Sequence, residues 1–499
     1  MTSYKDPAAW CRAVAGAVEA GGRFAGAFAM ADRPSAVLVA IVDQDGEFHL
    51  LTTSVAPGPE QLYEYPSLSV GVPPAFWYER AMHDLSGVTP SGHPRLDPLL
   101  LAVTGDSGHP LHPMAPSSPE VRADVAAQGP VDVTGHGVFT VPFGPVRSGV
   151  GESVEFLLET PGEDVAQLNI RLHFKHRGVA KRFEGLTPAD GVLVAERVEG
   201  IASVAHALAF SHAIESAAHE PAVGEQAALF RVVWAELERI ANHLDVATKL
   251  CDAAGLAVAT SRFGWHKEMT MRIMSRLTGS RFGRGAVVPG GVRQGLPFPS
   301  DATQRELDEL AGRIHDDARR LMTTPSFLDR IRGTGRVEPG YARRWALLGP
   351  VGRASGQLVD DRIDHPYDAY PRLSRPSEPV VEINGDARAR LEVRLREIDQ
   401  SFEMIREADS QLRAARRPSA GPGPLGRLPD GMFVGCCEAP QGEALHVVVL
   451  GDGKITRCFA RSASLHDLVA FRQAFHTDVF TDFAFIEASF GLGYAGVAM

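Results

Sequence analysis

The chain has 499 residues, which is too long for one ordinary hydrophobic core, so two or three domains are expected. Its hydrophobic content of 44% and charged content of 22% are typical of a soluble globular protein, and a net charge of -11 argues against nucleic acid as a partner. No apolar run is long enough for a direct membrane span and no signal-peptide pattern opens the sequence, which predicts a cytoplasmic chain.

Five cysteines are scattered along the chain, and none forms a C-x-x-C pair. Iron–sulfur clusters and soft metals require clustered thiolates. The only neighbours are Cys436 and Cys437, and adjacent side chains on a strand point to opposite faces. We therefore predict no metal site and no cluster in this chain.

Residues 1–115 have the pattern of a small α/β domain. An Ala-rich helix is followed by two strand-like runs, Ala36–Val42 and Glu47–Thr53, which are joined by an Asp-Gly hairpin turn. A further helix contains Trp77 and Met82 and ends at Gly87. Its charged residues are expected to be either solvated or paired.

The segment 116–137 is rich in Pro, Gly and Ser, which is typical of a linker, and a larger domain spans 138–499. His109, His112 and His136 lie in or near this linker at irregular spacing, without paired acids or cysteines beside them. We interpret them as solvated loop histidines rather than metal ligands.

The most informative stretch runs from Asn169 to Glu215. A basic turn at His176-Arg177-Gly178 closes a strand-like segment, and apolar residues at helical spacing then predict one buried helix over Ala195–Ala218. Arg197, Glu199 and His206 are polar groups within that apolar pattern, and burying them is costly unless they are paired.

The amphipathic segment Glu225–Leu250 predicts a long helix, on which Glu236, Arg239 and His243 share one face. We interpret these three residues as an intrahelical ion pair plus a core histidine. The remaining predicted elements are helices over Arg262–Leu277, Thr303–Met322 and Val380–Leu412, a hairpin around Asp452-Gly453, and a helix over His466–Phe475.

The H-R-G turn and the following R-V-E-G-I-A-S-V-A-H segment resemble the core of the large subunit of energy-converting nickel–iron hydrogenases of the formate hydrogenlyase and hydrogenase-4 type. Val351–Tyr370 carries further matches, V-x-R-A-S-G and D-H-P-Y. The segment from Trp77 to Pro94 is similar to the signature of the 30 kDa subunit of complex I. The whole chain thus resembles a fused pair of complex I subunits of the 30 kDa and 49 kDa types.

The resemblance implies an α+β fold, in which an N-terminal α/β docking domain (1–115) and a linker (116–137) precede a large domain (138–499). That large domain is expected to have a central helix bundle and peripheral β-structure.

This sequence departs from the family at the positions that hold its redox centre. The hydrogenases bind nickel and iron through four cysteines, and here those positions carry Glu199, Ala202, Gly493 and Gly496. Glycine and alanine offer no ligand, and one carboxylate is a hard donor, so we predict that no working nickel–iron centre forms.

The complex I relatives anchor a quinone with two histidines and a tyrosine. Arg147, Gly151 and Gly200 occupy those positions here, so the sequence lacks the side chains of an ordinary quinone-reductase site.

The remaining pocket frame supplies the candidate catalytic residues, which are Glu199, Arg197, Arg177, His176 and Arg147. The candidate cofactor-pocket positions are Gly151, Gly200, Ala202, Gly493 and Gly496. One hypothesis is that Glu199 pairs with Arg177 or Arg147 and relays protons or redox-linked charge. The alternative is a static salt bridge that fills the former metal site.

The resemblance implies a peripheral-arm subunit of an oxidoreductase complex on the inner face of the cell membrane. Its implied partners are a small iron–sulfur subunit, which would hold the cluster, and antiporter-like membrane subunits. A quinone or another small acceptor is the implied substrate, although the sequence contains no dinucleotide fingerprint. The alternative is a non-catalytic scaffold or coupling subunit of that complex.

Overall fold

The structure is a computed structural model that describes residues 1–58, 62–101, 109–114, 135, 137–147, 149, 151–218, 223–297, 299–374, 376–414 and 421–499. The chain divides into two compact units. The first comprises 1–181 with 344–346 and 497–499, and the second comprises 182–343 and 347–496. The predicted linker 116–137 lies almost wholly outside the described residues. The predicted boundaries at 115 and 138 stay predictions.

Helices and strands are both abundant in the described residues, so the predicted α+β class is confirmed. Among these residues, no helix combines the length and the apolar character needed to cross a membrane.

The elements of the first unit are β1 Thr2–Tyr4, α1 Pro7–Glu19, β2 Arg23–Asp32, β3 Ser35–Gln44, β4 Glu47–Val55, β5 Tyr63–Pro66, α2 Phe76–Ser86, β6 Val88–Ser91, β7 Phe139–Phe143, β8 Glu155–Thr160, β9 Gln167–Arg171 and α3 Val179–Arg182, the last residue of which belongs to the second unit.

The first sheet has the strand order β1-β4-β3-β2, with β2, β3 and β4 antiparallel and β1 parallel to β4. The predicted hairpin between β3 and β4 is confirmed, and its turn residues Asp45 and Gly46 have φ values of 54° and 76°. Helix α1 packs on this sheet, where the Trp10 Nε1–H donates to the Leu51 carbonyl at 2.9 Å.

The charged residues of α2 are buried and paired. The Glu79 carboxylate accepts N–H bonds from Leu68 at 2.7 Å and Ser69 at 2.9 Å. Asp84 accepts from Leu99 and Leu100, both at 2.7 Å. These acids therefore hold two loops onto the helix.

The prediction that His109 and His112 are solvated loop histidines holds only in part, because both side chains are half-buried. His109 Nδ1 lies 2.8 Å from the Asp84 carbonyl, and both rings pack against Gly87, where a Cβ would approach them to 2.7 and 2.9 Å. The absence of a side chain at Gly87 is what lets the rings fold inward. His136 lies outside the described residues.

The elements that follow are α4 Pro188–Ala195, α5 Ser203–Ser216, α6 Glu225–Ala253, α7 Ala257–Thr278, β10 Val287–Val288, β11 Gly291–Val292, α8 Asp301–Leu321, α9 Pro325–Ile331, α10 Pro339–Arg344, α11 Gly349–Arg353, α12 Asp361–Asp364, α13 Ala387–Ala414, β12 Gly431–Ala439, β13 Gly442–Gly451, β14 Lys454–Arg461, α14 Ser464–Phe471, α15 Phe483–Phe490 and α16 Tyr494–Ala498.

The second unit is built around a helix bundle and a three-stranded antiparallel sheet. Helix α6 packs against α7 and α13, and α5 lies on strands β12 and β13. The helix approaches the sheet closely because Gly435 on β12 has no side chain, and a Cβ there would clash with the backbone of Ala209 and Ala213.

The predicted single helix over Ala195–Ala218 is wrong, because the structure has α4 and α5 with a turn between them. Glu199, Gly200 and Ala202 therefore lie in the turn, not on a helix. The N-terminus of α5 is stabilised by a residue of another helix. The Glu238 carboxylate on α6 accepts the Val204 N–H at 2.7 Å and the Ala205 N–H at 3.0 Å.

The predicted ion pair on α6 is confirmed, with Arg239 Nε 3.0 Å from Glu236 Oε2. Burial disfavours the charge on Glu236, but the guanidiniums of Arg239 and Arg362 outweigh it and hold its pKa below the ordinary value. His243 is a core histidine as predicted, 2.8 Å from Glu397, and burial lowers its pKa to about 4. The bundle thus has an ionic rather than a wholly apolar centre.

Candidate functional site

Glu199 is buried, with 1% of its surface exposed, and its carboxylate lies against the last turn of the second unit. A Cβ on Gly493 would stand 2.6 Å from Glu199 Cδ, and a Cβ on Gly496 would stand 2.8 Å from the same atom. These distances are shorter than real Cβ contacts. The Glu199 side chain therefore occupies the space that side chains at positions 493 and 496 would fill.

Ala202 is fully buried in the same turn, and its N–H points to the Glu199 carbonyl at 3.4 Å. The four positions at which the hydrogenases have cysteines thus lie on two short segments, which meet at the Glu199 carboxylate. We call this group, Glu199, Ala202, Gly493 and Gly496, the Glu199 site.

A line of buried polar side chains leads away from the Glu199 site. Glu199 Oε2 is 3.4 Å from His206 Nε2, and His206 Nδ1 is 3.0 Å from His446 Nε2. His446 Nδ1 is in turn 3.7 Å from the sulfur of Cys458. We call these four residues the histidine chain.

With the Glu199 carboxylate as the last acceptor, the donors and acceptors of the histidine chain follow one order. Burial lowers the pKa of His446 well below its usual value, with His206 adding to the effect, so the His446 ring is neutral. Burial also raises the pKa of the Cys458 thiol, which stays protonated. The S–H then donates to His446, His446 donates to His206, and His206 donates to the Glu199 carboxylate.

Glu199 also affects the pKa of Glu238, the α6 residue whose carboxyl group caps the N-terminus of α5. Burial raises the pKa of Glu238 to about 8, against the opposing effect of its two backbone N–H donors, and the negative charge of Glu199 adds to the rise. The Glu238 carboxyl is therefore mainly protonated at neutral pH.

Arg197 lies at an exposed position, where its Nη1 donates to Glu196 Oε1 and to the Leu193 carbonyl, both at 2.6 Å. This placement leaves its charge at the surface of the unit. A role for Arg197 in the site stays a prediction.

The other predicted residues belong to the first unit. His176 Nδ1 lies 2.7 Å from the Ala498 carbonyl, and the Arg177 N–H donates to the Met499 carbonyl at 2.9 Å. The Arg147 guanidinium lies over the rings of Phe143 and Phe156, 4.9 and 5.1 Å from their centres.

Gly151 in the first unit and Gly200 in the second are exposed. An ion pair from Glu199 to Arg147 or Arg177 stays a prediction.

Sequence reasoning did not single out His446, Cys458 or Glu238. His446 and Cys458 stand in apolar strand patterns far along the chain from Glu199, and their roles follow only from the packing of α5 on the sheet. The one available signal was His206, a polar residue in an apolar helix that required a partner.

Two family models match the chain. The model of the 30 kDa subunit of respiratory-chain NADH dehydrogenase matches residues 27–121, and the model of its 49 kDa subunit matches residues 256–421.

The curated relatives include proteins named for hydrogenases and proteins named for NADH-quinone oxidoreductases. Formate hydrogenlyase subunit 5 from Escherichia coli is 30% identical over 416 residues, which cover 80% of this chain and 71% of the relative. Hydrogenase-4 component G from the same organism is 28% identical, with 80% and 70% covered. The fused C/D polypeptide of NADH-quinone oxidoreductase from Rhodopseudomonas palustris is 28% identical, with 73% and 67% covered.

These matches confirm the resemblance to both groups. The relatives are named as subunits or components of hydrogenase and NADH-quinone oxidoreductase complexes, which agrees with the prediction of a subunit of an oxidoreductase complex. The chain therefore belongs to the family of formate hydrogenlyase subunit 5, and parts of it match the models of the 30 kDa and 49 kDa subunits of respiratory-chain NADH dehydrogenase.

Proposed function

We propose that this chain is the peripheral-arm subunit of a membrane-associated redox complex, related to complex I and the energy-converting hydrogenases, that works without a nickel–iron centre. Its membership of the family supports the first part of this proposal. The filled space at the Glu199 site supports the second.

The residues at the Glu199 site do not fit a nickel–iron centre. Such a centre would need thiolates at four positions that here carry one carboxylate, one methyl group and two hydrogens. The carboxylate also lies where side chains on residues 493 and 496 would project. We therefore assign no step of the chemistry to a metal in this chain.

The single observation that carries the proposed function is the histidine chain. Each imidazole can accept a proton on one nitrogen and release one from the other, so a proton taken up at Glu199 can be shared with His206 and returned from Glu199 when the redox event reverses. Cys458, with its raised thiol pKa, ends the line and fixes the tautomer of His446. The proposed role of the site is proton relay linked to redox events elsewhere in the complex.

The proposed partners are those of the energy-converting complexes: a small iron–sulfur subunit that holds the electron-transfer cluster, and antiporter-like membrane subunits. The proposed location is the cytoplasmic face of the cell membrane, through those partners. A quinone or another small molecule is the proposed electron acceptor, and it would be reduced by the iron–sulfur subunit with protons supplied through this chain.

The second candidate function is a non-catalytic scaffold that couples or assembles the complex. The tight fit of Glu199 between two glycines favours it, because a carboxylate that only fills a former metal site needs no proton traffic.

The two candidates are separated by infrared difference spectroscopy of the purified complex, oxidised minus dithionite-reduced. Proton relay predicts a carboxyl band that is lost in Glu199→Gln and kept in a control variant, Asp190→Asn, on the exposed end of α4. A spectrum unchanged by Glu199→Gln, with full turnover at normal assembly, would leave only the scaffold. Nickel bound in stoichiometric amount by the purified chain would overturn both.

A further inference from the structure

Three side chains of the second unit that can each bind a metal ion meet where α12 packs on strand β12. They are Asp361, His365 and Cys436, and one carboxylate oxygen, one ring nitrogen and the sulfur all lie within 4.8 Å of one another. Asp361 and Cys436 are buried and His365 is half-buried. We call these three residues the α12–β12 cluster.

The two elements fix the geometry of this cluster. Asp361 and His365 are four residues apart across the single turn of α12, which puts both side chains on one face, and His365 Nδ1 lies 3.1 Å from Asp361 Oδ1. The Asp361 N–H donates to Glu438 Oε2 at 3.2 Å, which holds α12 against β12. Cys436 stands two residues before Glu438 on the strand, so both side chains project from the same face of β12.

The donor set of the cluster suits zinc. Thiolate, imidazole and carboxylate are the side-chain groups that bind zinc in proteins, and the two negative charges of this set balance one divalent cation. Two nitrogen or oxygen ligands of a tetrahedral zinc ion are about 3.3 Å apart, close to the 3.1 Å between His365 Nδ1 and Asp361 Oδ1. In the metal-free chain the same distance is an ordinary hydrogen bond, so binding requires no large movement.

A further carboxylate is placed to orient the histidine ring. A Glu443 oxygen lies within 4.8 Å of a His365 ring nitrogen, and Glu443 is fully buried and ion-paired with Arg461. Histidines that bind a metal usually donate their other ring N–H to a carboxylate or carbonyl, which fixes the tautomer and the direction of the ring. Glu443 is the candidate for that role.

We propose that the α12–β12 cluster binds one zinc ion through Asp361, His365 and Cys436, with a water as the fourth ligand, and that this ion joins α12 to β12. The two segments that supply the ligands are about 70 residues apart in the chain, which is why cysteine spacing alone predicted no metal site. The inference revises that prediction, and it does not depend on proton transfer through Glu199.

The test uses the purified full-length chain, kept reduced with a phosphine, and zinc and cobalt(II) as probes. Metal analysis should find one zinc per chain. X-ray absorption at the zinc edge should show one sulfur at about 2.3 Å and three nitrogen or oxygen ligands at about 2.0 Å. Cobalt(II) in place of zinc should give a thiolate-to-cobalt charge-transfer band. These measurements on the unchanged chain decide the matter even where a variant fails to fold.

Variants with matched controls identify the ligands. Cys436→Ser should remove the charge-transfer band and weaken zinc binding about a hundredfold, and His365→Gln should weaken zinc binding to a similar extent. Cys437→Ser is the control, because Cys437 points to the other face of β12, where its sulfur lies 3.3 Å from Tyr367 Oη, and this variant should keep both the band and the affinity. Glu199→Gln should also bind zinc as the wild type does, so this site and the Glu199 site are tested separately.

Four results would each overturn the inference. They are a wild-type chain that retains no zinc, a zinc shell without sulfur, a shell with two or more sulfurs, and a charge-transfer band that survives in Cys436→Ser.

Discussion

The contact between Glu199 and the last turn of the second unit makes a quantitative prediction for Gly493→Ala. The new Cβ would lie 2.6 Å from Glu199 Cδ and 2.9 Å from Cγ. The Glu199 side chain is 1% exposed and packs against both glycines, so it must shift within a buried site to make room for the new Cβ. Overpacking of this kind costs about 1–3 kcal/mol, and we expect a loss of about 2 kcal/mol.

Gly493 has no left-handed backbone conformation, so this cost comes from the clash alone. The clash should vanish when Glu199 is truncated. In a Glu199→Ala background, we expect Gly493→Ala to cost less than about 0.5 kcal/mol, which gives a coupling energy near 1.5 kcal/mol. Calorimetry of the full-length chain should show a fall in Tm of about 3 °C for the single variant.

Gly312→Ala in α8 is the matched control, because a Cβ there meets nothing within 4 Å. It should leave the stability unchanged or raise it by up to about 1 kcal/mol. If Gly493→Ala is as stable as this control, or if its cost persists without Glu199, then the carboxylate does not occupy the space assigned to it.

Three further predictions concern buried charge. The Glu238 carboxyl has a pKa of about 8 in the folded chain and about 4.5 in the unfolded chain, so the folded state binds more protons between these pH values. The free energy of unfolding therefore falls as the pH rises, by about 2 kcal/mol between pH 6 and 8. The Tm of Glu238→Gln should decline less than that of the wild type over this range. Arg353→Met should lower the free energy of urea unfolding by about 3–5 kcal/mol. The Arg353 guanidinium lies 3.0 Å from Glu397 Oε1 and 2.8 Å from Glu438 Oε1, and its loss leaves both carboxylates buried without their shared cation. An unchanged unfolding midpoint would show that these ion pairs do not stabilise the fold. Asp84→Ala should lower the free energy of unfolding by about 1–3 kcal/mol, because the N–H groups of Leu99, Leu100 and Leu101 lose their acceptor. Proteolysis at Leu99–Leu101 should become faster. Unchanged protease resistance would contradict this role of Asp84.

Short sequence patterns correctly predicted the elements that depend on neighbouring residues alone. The Asp-Gly turns at Asp45-Gly46 and Asp452-Gly453 form hairpins because both residues tolerate positive φ, and the long helix on α6 follows its apolar stripe. Strand β2 was missed because its Ala-rich sequence has little intrinsic β-propensity, and its conformation is set by pairing with β3.

The site was predictable only in part. The resemblance brought Glu199, Gly493 and Gly496 together, and the structure has them in contact. It did not predict the break between α4 and α5, because the first turn of α5 is stabilised by Glu238, an acid on another helix more than 30 residues away. Long-range partners of this kind leave no periodic signal in a single sequence.

The capping of α5 by Glu238 also connects helix α6 with the first turn of α5, which follows the Glu199 site. An ionised carboxylate holds a helix N-terminus more firmly than a neutral one, because it meets the positive end of the helix dipole. Each change of charge on Glu238 therefore tightens or loosens the turn from which His206 projects. The charge on one α6 side chain and the hydrogen bonding of the histidine chain are then linked through a single carboxyl group, with no domain movement required.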